Sequence, residues 1–209
     1  MEQGNIKNLI FDLGGVIIDL DFQASYREFS DLSGLPITEI IRRTKGMMFF
    51  EDYEKGLISS DDFRIQVQQL LEFSATDQAI DNAWCAMLGG IPAAKLSLLR
   101  SLKQKFRTFA LSNTNEIHVR KFNEIVEKSL GDTRLLHDHF DHVYYSHQMK
   151  MRKPDPEIYQ AVLGEQSLNA EETLFIDDNL ENIQSAGSLK INTFHLRESD
   201  QLITFFNGS

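Results

Sequence analysis

Residues 8–21 read NLIFDLGGVIIDLD. Asn8 to Phe11 forms an apolar run of strand length, of the kind that is buried on both faces of a parallel sheet. Asp12 then places a carboxylate at its end. An ionised Asp there is costly unless something cationic pairs with it. The Gly14-Gly15 turn that follows lets a backbone wrap closely around a ligand. The rest of the chain has to supply both the cation and the ligand.

Four more short apolar stretches, each followed by polar or turn residues, read as strands: TFALS (108–112), HVYYS (142–146), TLFID (173–177) and INTFHL (191–196). Between the later ones, Ile117, Phe122, Ile125 and Val126, and then Ile158, Tyr159, Val162 and Leu163, recur at helical spacing. Strand and helix in alternation predict an α/β fold with a doubly wound parallel sheet. About a hundred residues separate the first strand from the second, far beyond one crossover helix. We therefore expect a small all-helical domain over residues 20–88, inserted in an α/β core made of residues 1–19 and 89–209. Within it, LISSDDFRIQVQQLLEF offers Ser59 or Ser60 as an N-cap, with Phe63, Val67, Leu70 and Leu71 on one face. Met47, Met48, Phe49 and Phe50 read as packing residues of that domain.

Composition narrows the function. A net charge of −10 and a pI near 5.0 argue against broad binding to nucleic acid or anionic membranes. Small anionic substrates stay open if one pocket concentrates positive charge. Cys85 is the single cysteine, so an internal disulfide is excluded and a reducing compartment, the cytoplasm, is expected. Neither a signal-peptide pattern nor an apolar run approaching the roughly 20 residues of a membrane span is present. A monomer or weak homodimer is the expected state.

In open α/β sheets, ligands bind outside the carboxyl ends of the strands. Four of the strands end in polar groups: Asp12, Ser112 with Asn113, Ser146, and Asp177 with Asp178. Taken alone, Asp177-Asp178 is what an acid-rich helix N-terminus carries. Together with Asp12 it would bring three carboxylates to one place, where a hard divalent cation such as Mg2+ relieves their repulsion. Lys153, in MRKPDPEIY, reads alone as a solvated turn; beside such a pocket it is the fixed charge a transferring phosphoryl group needs. Ser112 and Asn113 precede a helix starting near Glu116, where hydroxyls and free N–H groups suit an anion, though plain N-capping would account for them too.

The order and flanks of these four motifs, FDLGGVIIDLD, LSNTN, MRKPDPEIY and DDNLENI, resemble the haloacid dehalogenase superfamily over essentially the whole chain. Their details are most similar to its sugar-phosphate phosphatase branch, which includes the bacterial α-D-glucose-1-phosphate phosphatases. The resemblance implies that Asp12 is the nucleophile and a metal ligand, and that Asp177 and Asp178 are metal acids. It makes Ser112 and Asn113 phosphate contacts and Lys153 the charge clamp. Residues 20–88 would be the cap that chooses the substrate, with Glu51, Tyr53 and Glu54 placed near its Gly56 turn. The implied activity is Mg2+-dependent hydrolysis of a small phosphorylated metabolite, such as a hexose 1-phosphate, through an aspartyl-phosphate.

One position departs from that pattern. Most phosphatases of the superfamily carry an Asp two residues after the nucleophile as general acid and base; here Gly14 stands there and can offer the metal only its carbonyl. Such a loss costs about a hundredfold to ten-thousandfold in rate. It keeps two rivals in view, a metal-independent haloacid dehalogenase and a phosphometabolite-binding regulatory protein with little turnover. The acid pair speaks against the first, since Asp177-Asp178 would be unneutralised in a metal-free site. The histidines of HDHFDH, His137, His139 and His142, match no helical face and read as a solvated loop rather than a metal site.

Overall fold

The computed structural model describes residues 5–130 and 136–207. Five parallel strands form one sheet: β1 (Asn8–Phe11), β2 (Arg107–Ser112), β3 (His142–Tyr145), β4 (Thr173–Asp177) and β5 (Asn192–His195), in the order β3-β2-β1-β4-β5. β1 lies between β2 and β4, with Phe11 opposite Ala110 on one side and Ile176 on the other. Asp12 therefore emerges between the ends of the two strands that carry Ser112 and Asp177.

Alternation along the buried strands explains the two layers. Leu9, Phe11, Ala110, Leu174 and Ile176 face one side, where Leu96, Leu99, Phe122, Val126 and Leu202 pack on them. The intervening Ile10, Phe109, Leu111 and Phe175 face the other, against Ile158, Tyr159, Val162 and Ile183. The helices responsible are α6 (Ala93–Leu102), α7 (Glu116–Leu130) and α11 (Gln201–Asn207) on the first face, with α9 (Pro156–Gln166) and α10 (Leu180–Ser188) on the second; a short α8 (Ser146–Met149) follows β3.

Between β1 and β2 run α1 (Phe22–Ser33), α2 (Ile37–Thr44), α3 (Met48–Glu54), α4 (Ser60–Leu71) and α5 (Asp77–Cys85). They close on a core of their own that includes Phe29, Ile40, Tyr53, Phe63, Val67, Leu71 and Ile80. Ser59, not Ser60, caps α4: its hydroxyl accepts the Asp62 N–H at 3.1 Å and the Asp62 carboxylate takes the Ser59 N–H in return. Phe49 and Phe50 pack on Phe63 as expected, whereas Met47 and Met48 stay exposed. A short stem joins the insertion to the sheet, the Gly89 N–H donating to Asp19 O at 2.7 Å and the Asp21 N–H to Met87 O at 2.9 Å.

The insertion rests on the N-terminus of α7. Tyr53 Oη lies 2.9 Å from Ser60 Oγ and accepts the Ile117 N–H at 3.4 Å, while Ser60 donates to Glu116 at 2.6 Å. Trp84 stacks on His118, with centroids 4.9 Å apart. The histidine-rich stretch is not a solvated loop. Leu136–His139 forms a 3-10 turn that buries Leu136, His139 and Phe140 against the sheet layer, and only His142 continues into β3. Among the described residues no helix is long and apolar enough to cross a membrane. Tyr53→Phe should cost about 1–3 kcal/mol, because it strips buried Ser60 and the Ile117 N–H of a partner; urea unfolding of both proteins measures it.

Candidate active site

Lys153 carries a fully buried ammonium at the carboxyl edge of the sheet, and it is shared. Its Nζ lies 2.9 Å from Asp12 Oδ1 and 2.7 Å from Asp177 Oδ2. Burial alone would lower its pKa, but Asp12 and Asp177 hold it above the ordinary lysine value. Asp177 is saturated behind it: Asn182 Nδ2 donates to both carboxylate oxygens at 3.1 and 3.0 Å, and the Asn179 N–H to Oδ1 at 2.8 Å. Asn179 also caps α10, so the turn after β4 fixes the acid and starts the helix with the same residues.

Asp12, Asp177 and Asp178 can bring one oxygen each to within 4.8 Å of one another. Three carboxylates against one lysine leave two negative charges in excess, which matches a hard divalent cation with oxygen ligands. Asp12 shows the strain of its position. Burial pushes its carboxyl up to about 7, Lys153 opposes this, and Asp177 and Asp178 add to it. Asp178 is exposed at the opening and is likewise raised, by burial of its carboxyl first and then by Asp177. Gly15 makes room for it: at φ +73° a Cβ there would lie 2.3 Å from Asp178 Oδ2. A bound cation would reverse these upward shifts.

A cavity of about 700 Å³ opens over this edge, its floor formed by Asp12, Gly14, Ser112, Asn113, Lys153 and Asp178. Asp177 lies beneath, out of the lining. The walls come from the insertion and are largely apolar, with Tyr26, Phe29, Phe50 and Trp84 among them, and Glu54 is the carboxylate they add. Of the other two residues expected near the Gly56 turn, Tyr53 is buried in the insertion core and Glu51 lies outside the cavity lining. A second hollow, of about 720 Å³, lies at the opposite end of the sheet beside Lys7, Asn8 and Arg107, away from the carboxylates.

Asn113, expected as a phosphate contact, lines the cavity and also holds Lys153. Its Nδ2 donates to Lys153 O and its Oδ1 accepts the Lys153 N–H, both at 2.8 Å. Its side chain clamps the segment that carries Lys153. Arg152, inside the quoted MRKPDPEIY, also escaped the reading of the sequence; it holds Glu54 Oε2 through Nη2 at 3.0 Å and Nε at 3.1 Å. Its place next to Lys153 was the available signal. Ser146 at the end of β3 lies 2.6 Å from Glu54 O and accepts the Thr114 N–H at 2.9 Å, joining the insertion to the loop after β2.

Residues 6–189 match the haloacid dehalogenase-like hydrolase family. The chain belongs to that family. A D-ribitol-5-phosphate phosphatase of Bacteroides thetaiotaomicron is 31% identical over 189 residues, covering 90% of this chain and 91% of that one. A crystal structure of a family enzyme from the same organism superposes with a TM-score of 0.89 at 35% identity, covering 97% of this chain and 98% of that one. The same enzyme has been crystallised with magnesium and inorganic phosphate; that structure gives a TM-score of 0.83 at 36% identity over 91% of this chain and 93% of the other. An L-2-haloacid dehalogenase of Xanthobacter autotrophicus shares the fold, with a TM-score of 0.60 at 17% identity over 91% of this chain and 77% of its own.

If Asn113 positions Lys153, Asn113→Ala should lower kcat by roughly tenfold to a hundredfold, the usual cost of a misplaced catalytic group, and leave KM little changed. Steady-state kinetics on any turned-over phosphate ester separates this from loss of a phosphate contact, which would raise KM.

Proposed function

We propose that the chain is a Mg2+-dependent phosphomonoesterase acting on a small phosphorylated metabolite through an aspartyl-phosphate, with residues 20–88 as its cap. The observation that carries this is the meeting of Asp12, Asp177, Asp178 and buried Lys153 at one point. Asp12, Asp178, Asp177 and the Gly14 carbonyl are the groups offered to the cation. When bound, Mg2+ supplies positive charge that lets an anionic nucleophile and a dianionic phosphate share the pocket. Asp12 attacks phosphorus, Lys153 balances charge on the transferring oxygens, and Ser112 with the Asn113 main chain cradles them.

The named relative acts on a polyol phosphate, which supports a sugar or polyol phosphate here. Within that class a hexose 1-phosphate asks least of Gly14, because its ring oxygen makes the anomeric leaving oxygen less basic than a primary alkoxide. The dehalogenase reading is weaker, since the acid pair beside Asp12 has no use without a metal. With Cys85 as the only cysteine, we assign the cytoplasm as compartment and a monomer or weak homodimer as the state.

A panel of sugar and polyol phosphates, 2-haloacids and nitrophenyl phosphate assayed in Mg2+ and in excess EDTA tests the proposal. Phosphate release that EDTA abolishes and Mg2+ restores is expected. Metal-independent halide release would overturn the reading, and binding without turnover of any ester would favour the regulatory rival. Asp12→Asn should remove turnover while leaving the unfolding midpoint close to that of the wild type. Wild-type protein with Mg2+ and beryllofluoride should bind the phosphate mimic, and Asp12→Asn should not, as read by native mass spectrometry.

A further inference from the structure

Gly14 is not a glycine the backbone demands. Its φ lies outside the left-handed region, unlike that of Gly15, and a Cβ there would meet only the tip of the Leu20 side chain, at 3.0 Å. A side chain there would need only the flexible Leu20 tip to give way, yet the chain carries none. Among the described residues the carboxyl groups lining the cavity are Asp12, Asp178 and Glu54. The first two belong to the metal cluster, so Glu54 is the one left without an assigned task.

Glu54 is also held firmly. It is the last residue of α3; its carbonyl lies 2.6 Å from Ser146 Oγ, at the end of β3. Two residues on, Gly56 sits so close to the core that a Cβ would fall 2.3 Å from His147 O, and its own carbonyl accepts from Lys150 Nζ. Both Arg152 contacts land on Oε2, which leaves Oε1 as the oxygen able to carry a proton. The charged groups facing the carboxyl are Arg152 and Lys153 from the core and Glu51 from its own helix.

We propose that Glu54 is the catalytic acid and base of this enzyme, doing from the helical insertion what a carboxyl group at position 14 would do. This rests on the phosphatase reading above. As an Asp12 oxygen bonds to phosphorus and the ester P–O bond breaks, the leaving oxygen takes the bonding pair and the Oε1 proton of Glu54. In the second step a water oxygen bonds to phosphorus, its proton goes to the Glu54 carboxylate, and the P–O bond to Asp12 breaks to return the Asp12 carboxylate. Burial raises the Glu54 pKa against the pull of Arg152, with Glu51 adding to the rise, which favours the protonated form the first step needs.

The test uses the intact protein with Mg2+ and two esters, an alkyl phosphate whose leaving alkoxide needs a proton and nitrophenyl phosphate, whose phenolate does not. Glu54→Gln should lower kcat/KM for the alkyl ester by about a hundredfold or more and for nitrophenyl phosphate far less, because kcat/KM reports only steps through ester cleavage. With nitrophenyl phosphate, kcat and KM should fall together and a burst of nitrophenolate should appear, since the second step has lost its base. The fall of alkyl-ester kcat/KM at high pH should vanish in Glu54→Gln. Gly14→Asp added to Glu54→Gln should recover the alkyl ester in part. Equal losses on both esters without a burst, or no loss on the alkyl ester, would overturn the proposal. Absence of turnover of either ester by the wild type would instead overturn the phosphatase reading, and this inference with it.

Discussion

A buried lysine ammonium between two carboxylates ties the carboxyl edge of the sheet together. Lys153 Nζ touches both Asp12 and Asp177, and each member of the trio is fixed by a further group. The Leu13 N–H donates to Asp12 Oδ1 at 2.7 Å, Asn182 holds Asp177, and Asn113 holds the backbone of Lys153. Taking Lys153 away would leave the two carboxylates facing each other without their cation, a loss of about 3–5 kcal/mol. The parallel order β2-β1-β4 is what makes the trio possible, because it sets the ends of chain segments more than a hundred residues apart side by side. Fold and site therefore depend on the same contact.

The insertion is coupled to that edge through specific polar links. Ser146 connects Glu54 to Thr114, and Arg152, the residue before Lys153, holds the Glu54 carboxylate. A second set, Tyr53, Ser60 and Glu116, ties α3 and α4 to the start of α7. The cavity wall is thus built on the same segments that carry the phosphate-edge residues. Its apolar lining, with Phe50 and Trp84 stacked at 5.6 Å, gives shape selection more than hydroxyl recognition.

What the sequence disclosed follows from how local each signal is. The five strands were legible because each is short, apolar and closed by a polar residue, and Asp12, Asp177 and Asp178 were legible as those terminal residues. Residue identity also disclosed the Ser59 cap, to within one position. Asn113 was not legible as a clamp, because its partner is the backbone of a residue forty positions away. Glu54 could be named but not placed, since its position is decided by how α3 docks on the segment that follows β3, which no periodicity encodes. The HDHFDH stretch misled for a related reason: its polar letters hide a 3-10 turn that points His139 and Phe140 inward while Asp138 and His137 stay out.

A proton donor on the insertion, as proposed, also changes the electrostatics around Asp12. An Asp at position 14 would add a fourth carboxylate to a cluster in which burial, Asp177 and Asp178 already push Asp12 up to about 7. Without a bound cation, a further like charge there would add to the repulsion that already raises Asp12. Glu54 avoids this because Arg152, rather than Lys153, is its direct partner. On the proposed mechanism the two functions draw on two separate cations: Lys153, with a metal when one is bound, would favour the anionic form of Asp12, while Arg152 orients a carboxyl group whose burial favours the neutral form. Phosphoryl transfer asks for both states at one pH, and two independent charge pairs meet that demand with less mutual repulsion than one shared loop.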